Sequence, residues 1–257
     1  MLPEILLCAF LLTGDLDQVR ALVRAGRFPE ALHELQEALR KAPGNPEIQY
    51  QAGELLRQLA ADRAAGLEEL APDSAEAHEL VGRSLEARGH LDEALSAYRA
   101  ALSKSPRLPG VHFLIGNILW KQRDFEAAKP EMEAELHWNP DHALANLRLG
   151  QILLAMNQPG AAADHLRQAV SSDDSSLAAH RELGKAYRAL RDYAHALSEF
   201  QIVASRRPQD DSVHAQLATV YRSLGETARA RAEMETHRRL LQEKAEAARK
   251  ISPSNAR

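Results

Sequence analysis

Apolar residues recur along this chain at intervals of three and four, in runs that stop at glycine or proline. That is the periodicity of helices buried along one face. Residues 75–108 show the unit. Asp73 and Ser74 are residue types that cap a helix start by accepting its unpaired N–H groups. Leu80, Val81 and Leu85 form one apolar stripe, and Gly89 closes that helix. Ala94, Leu95, Tyr98, Ala101 and Leu102 form the stripe of a second helix, which Pro106 stops because proline lacks the N–H that continues it.

The same unit returns every 34 residues. Glycines stand at 82, 116, 150 and 184, with Ala218 in the next place. Alanines stand at 94, 128, 162, 196 and 230, and earlier at 31 and 65. Prolines stand at 72, 106, 140 and 208, with Asp174 where another is due. Pro43 precedes Pro72 by only 29 residues, so one repeat is abbreviated. Glycine within a helix costs up to ~1 kcal/mol relative to alanine, so four of them in register predict a partner helix passing too close for a β-carbon. The alanine column is the facing half of that contact.

The pattern aliphatic-Gly-x-x-aliphatic or Tyr, a turn, then Ala-x-x-x-large apolar-x-x-Ala and Pro resembles the tetratricopeptide repeat. Val81-Gly82 with Leu85, Ala94, Tyr98, Ala101 and Pro106 carries it, as do Leu183-Gly184 with Tyr187, Ala196, Phe200 and Pro208. The resemblance covers roughly nine tenths of the chain. It implies an all-α, right-handed α-solenoid of about seven helix-turn-helix units. The units fall at 12–45, 46–74 (short), 75–108, 109–142, 143–176, 177–210 and 211–244, after an apolar segment at 1–11 and before a tail at 245–257. A helix from about Glu226 to Lys250 should run past the last unit. Where the family often has tryptophan early in the first helix, this chain has Gln49, His78, His112, Asn146, His180 and His214. Pro130 and Pro159 fall near second-helix starts, and Pro130 lies close enough to the helix interior to permit a local kink.

Composition narrows the function classes. Of 257 residues, 26% are charged and 45% apolar, and only 5% are aromatic, which suits a folded helical protein better than a large β fold. The net charge of -4 argues against a general nucleic-acid binder. The single cysteine, Cys8, excludes an intramolecular disulfide and a multi-cysteine zinc cage. The apolar run Ile5 to Leu12 follows Glu4 rather than basic residues, so it reads as a capping segment, with an export signal as the alternative. The cytoplasm is therefore the favoured compartment and export or the periplasm the alternative. Membrane contact is expected only if this segment directs export or anchoring.

Candidate chemistry is sparse. His78, His112, His180 and His214 hold equivalent places in separate repeats, and helix packing at 8–10 Å keeps such places too far apart to share one metal. They are expected to pack at repeat junctions. His137 and His142 beside Asp141 lack a third ligand. Asp173-Asp174 and Asp210-Asp211 read as helix-capping acids. No phosphate-binding, dinucleotide-binding, metalloprotease or nucleophile-elbow motif occurs, so neither catalysis nor a cofactor is expected.

The resemblance implies that the first helix of each pair lines a concave face that takes partner segments. Residues there that avoid the packing columns are Tyr50, Glu54, Glu79, Arg83, Phe113, Asn117, Trp120, Lys121, Leu147, Arg148, Gln151, Leu154, Arg181, Lys185, Arg188 and Arg222. They run from acidic, through apolar and amide, to basic. The expected role is a non-catalytic scaffold or adaptor, binding a protein or peptide with apolar anchors and acidic residues. The alternatives are a recruiting arm of a larger enzyme, such as a glycosyl- or sulfotransferase, and a bacterial envelope assembly factor. The chaperone-type carboxylate clamp is not expected, because Phe113, Arg148, Ala178 and Glu182 stand where its lysine, asparagine, lysine and arginine belong.

Overall fold

The computed structural model describes residues 17–22, 24–41, 49, 53 and 73–251. Tyr50, Glu54, most of the abbreviated repeat and the apolar segment with Cys8 lie outside them. The chain divides into two compact units, Met1–Pro106 and Arg107–Arg257. The first contains α1 (Phe28–Lys41), α2 (Ala75–Ala87) and α3 (Leu91–Lys104). The second contains α4 (Val111–Lys121), α5 (Phe125–Trp138), α6 (Ala143–Ala155), α7 (Pro159–Ser172), α8 (Leu177–Ala189), α9 (Tyr193–Arg206), α10 (Asp211–Ser223) and α11 (Thr227–Ile251). No strand occurs among the described residues, and none of their helices is long and apolar enough to cross a membrane.

Each first helix ends through one repeated device. The residues at 89, 123, 157, 191 and 225 all have left-handed backbones, with φ of 83°, 64°, 57°, 62° and 79°. The next N–H then reaches back five residues, as in Asp124 N–H to the Leu119 carbonyl and Asp192 N–H to the Tyr187 carbonyl. Glycine fits this conformation at 89 and 225, and asparagine tolerates it at 157. Arg123 and Arg191 adopt it at a cost of roughly 1–2 kcal/mol each. Only Gly89 was legible as a stop in the sequence; the column of five was not.

Second helices start on side-chain caps in some pairs. Asp124 accepts from the Ala127 N–H at 3.1 Å and Asp192 from the His195 N–H at 3.3 Å. At first-helix starts, Ser74 accepts from the Ala77 N–H at 3.1 Å, while Asp73 instead pairs with Lys104 at 2.5 Å. Asp210 caps α10, as expected. At α8 the cap is Ser176; Asp173 is satisfied one turn earlier by Ser175. Pro159 opens α7, where its missing N–H costs nothing. Pro130 is the sixth residue of α5, and the helix continues through it with one backbone bond forgone.

The glycine column does what its spacing predicts. A β-carbon on Gly150 would lie 2.4 Å from Leu166 Cγ, and one on Gly184 would lie 2.7 Å from Phe200 Cε1. On Gly82 it would meet Tyr98 Cε1 at 2.5 Å. Tyr98, Leu166 and Phe200 are fully buried, and each such side chain stabilises the fold by about 1.5–3 kcal/mol. The alanines at 94, 128, 162 and 196 are also fully buried. In the second unit each helix packs on the next in sequence, and α4 also touches α6 and α6 touches α8. The first helices α4, α6 and α8 thus sit side by side.

Candidate functional site

The packing columns claim one side of each first helix. In α4 they take Val111, Ile115, Gly116 and Leu119, all buried. The remaining side carries the residues singled out from the sequence. Phe113, Asn117 and Trp120 on α4 are half-buried, and Lys121 is exposed. On α6, Arg148, Gln151 and Leu154 are half-buried, whereas Leu147 is buried and presents almost no surface. Arg181, Lys185 and Arg188 on α8 are half-buried, and Arg222 on α10 is exposed. Arg222 borders an open cleft of about 260 Å³ with Thr227, Ala230, Arg231 and Met234. Glu79 and Arg83 belong to the first unit and pair with each other at 2.8 Å.

The basic residues of this face differ in what they already hold. Arg181 is bound to Asp210, whose side chain also caps α10. Burial would raise the Asp210 carboxyl, but Ser212, Arg181 and the Val213 N–H outweigh it and hold its pKa below the usual value. Lys185 pairs with Glu182 one turn away, at 2.8 Å. Arg148 has only neutral partners. Its Nε donates to Asn117 Oδ1 at 3.1 Å and its Nη1 to Gln151 Oε1 at 2.9 Å. Its guanidinium lies over the Trp120 ring, 3.9 Å from the centroid. Burial lowers its pKa from the ordinary arginine value. The Nε atoms of Arg181 and Arg188 are buried and have no hydrogen-bond partner. Phe113 lies against the His142 ring at 4.8 Å.

The histidine column is a structural ladder. His112 Nδ1 meets Glu131 at 2.7 Å, His180 Nδ1 meets Glu199 at 2.6 Å and His214 Nδ1 meets Glu233 at 2.7 Å. Each pair ties a first helix to its second. The second ring nitrogen of His180 faces the Asp174 carbonyl, and that of His214 faces the Pro208 carbonyl, both at 3.1 Å. Asn146 takes the same place in its repeat. It donates to the Pro140 carbonyl at 2.7 Å and accepts from His165 Nδ1 at 3.0 Å. Burial lowers the His165 pKa, which suits a neutral ring donating to an amide oxygen. These partners were missed from the sequence. They were legible as a second column 19 residues after His112, Asn146, His180 and His214: Glu131, His165, Glu199 and Glu233, with histidine where the first column has asparagine; His78 has Ala97 in that place and pairs with Asp73 at 3.3 Å instead. His142 pairs with Glu135 at 2.9 Å, and no group of three metal-ligating side chains converges among the described residues.

Paired helices in a 34-residue period with small residues at each crossing define a helical repeat protein. The family model of the tetratricopeptide repeat matches residues 16–71, 57–109, 113–179, 147–211 and 181–248, and the chain belongs to that family. Its fold is the all-α solenoid of that family. No curated protein matches it. Among solved structures, YrrB, described as a TPR protein with an unusual peptide-binding site, aligns with a TM-score of 0.65 and 19% identity, over 69% of this chain and 91% of its own. MamA (41-end) from Desulfovibrio magneticus RS-1 aligns with a TM-score of 0.62 and 20% identity, over 66% and 96%. PilF of Pseudomonas aeruginosa aligns with a TM-score of 0.57 and 17% identity, over 91% and 93%.

Proposed function

We propose that this protein is a non-catalytic interaction scaffold, and that the first-helix face of its second unit holds a segment of a partner protein. The observation that carries the reading is that Phe113 and Trp120 on α4 and Leu154 on α6 are half-buried, on helices that also carry the side-chain amides Asn117 and Gln151. Half-buried apolar groups supply binding energy there, and the amides suit a backbone. The charge of the face adds a preference for acidic segments. The peptide-binding site described for YrrB supports a peptide as occupant on the same fold.

The test is affinity capture with mass spectrometry, comparing wild type with Phe113→Ser/Leu154→Ser of equal helicity. Loss of a captured protein from the variant, and its direct binding to purified wild type, is the expected result. Equal capture and equal direct binding by both would move the interface off this face.

A further inference from the structure

The cations of the second unit's first-helix face are not equivalent, and the difference identifies what they await. Its two carboxylates, Glu182 and Asp210, are committed to Lys185 and Arg181. Among the described residues, Arg148, Arg188 and Arg222 have no carboxylate partner. Of these, Arg148 is built into place. Asn117 and Gln151 fix two edges of its guanidinium and Trp120 supports its plane. Those contacts use two of its five N–H donors and leave three, two of them on Nη2. Packing a side chain this long into one geometry costs rotamer entropy, and neutral amides return only part of the hydration it loses. Among the described residues no helix terminus or acid takes up the charge.

We propose that Arg148 is a carboxylate-reading position: the protein segment bound on this face presents an aspartate or glutamate to its free fork. The proposal rests on the inner-face reading above and names the partner's chemistry. It differs from a chain-terminus clamp, because a single fork lying over the Trp120 ring fits one carboxylate beside an apolar surface. A phosphate-rich polymer fits worse, since the chain is net negative and the face offers few cations without an anion.

The probe is a phage-displayed library of random peptides about twelve residues long, selected on the full chain. Enriched peptides are then measured by fluorescence polarisation. The expected result is a shared acidic residue next to an apolar one, and roughly tenfold or greater weakening by Arg148→Gln. Arg148→Lys should recover only part of it, because an ammonium cannot make the two-point contact. Replacing the peptide's acid with its amide should weaken wild type equally, with little further effect on Arg148→Gln. Peptides without a shared acid, or affinities within about twofold in Arg148→Gln, overturn the proposal. If those peptides still lose affinity in Phe113→Ser/Leu154→Ser, the inner-face reading stands without it. Indifference to both variants, or no enrichment, overturns both.

Discussion

Adding one methyl group at either of two equivalent positions should have opposite effects. Gly116 and Gly150 lie one repeat apart in the same unit, on the same side of a buried first helix. In both, alanine gains up to ~1 kcal/mol of helix propensity over glycine. The neighbours then decide the sign. At Gly150 the new β-carbon meets Leu166 at Cγ (2.4 Å), Cδ2 (2.7 Å) and Cδ1 (3.1 Å). Leu166 is fully buried, and its Cγ is fixed by χ1, so relief needs a strained rotamer or a shift of α7 by about 1 Å. Overpacking of this kind costs about 1–3 kcal/mol, and more when backbone moves. The net loss for Gly150→Ala is then about 1–2 kcal/mol, or roughly 2–8 °C in Tm for a domain of this size. At Gly116 the nearest atom is the end of a flexible side chain, Met132 Cε at 3.0 Å, with Glu131 Cβ at 3.2 Å. A few tenths of an ångström suffice there, so Gly116→Ala should be neutral to about 1 kcal/mol more stable. The chain already carries alanine at 218, sixteen residues before Met234, as Gly116 precedes Met132. Circular-dichroism melts of both variants are the assay. Gly150→Ala melting at or above wild type, or Gly116→Ala falling as far as Gly150→Ala, would refute the close-approach argument.

Two further outcomes follow from the histidine ladder. His180→Asn should destabilise by about 2 kcal/mol by leaving Glu199 without its partner, and adding Glu199→His should restore at least half, since it copies Asn146 and His165; a double variant no better than the single would sink this, read from urea midpoints. Because burial lowers the His165 pKa, the unfolded chain takes up a proton below pH ~6.5 that the native state resists, so stability falls as pH drops through that range; His165→Gln should show a shallower fall between about pH 7.5 and 5.5, and an unchanged slope would contradict it.

The sequence by itself determined the helices, their pairing and their period. Those follow from local signals, such as Ser74, Gly89 and Pro106, and from small residues that recur with the helix and repeat spacing. A column such as Gly82, Gly116, Gly150 and Gly184 is legible because every repeat imposes the same steric demand on the same register. The apolar part of the candidate face was legible for the same reason, as the residues left over when the packing columns are removed, although burial takes Leu147 back into the core. The electrical character of the face was not legible. Counting charges makes Arg148, Arg181, Lys185 and Arg188 one basic stretch. The tertiary structure divides it, because Arg181 reaches Asp210 across 29 residues and Arg148 reaches Asn117 across 31. Whether two such side chains meet depends on how neighbouring helices stack and on where long side chains point over the turn before them. Neither is a property of composition or of any single repeat. The chain alone set the period and the packing columns; only their packing decided which of the cations already have an anion.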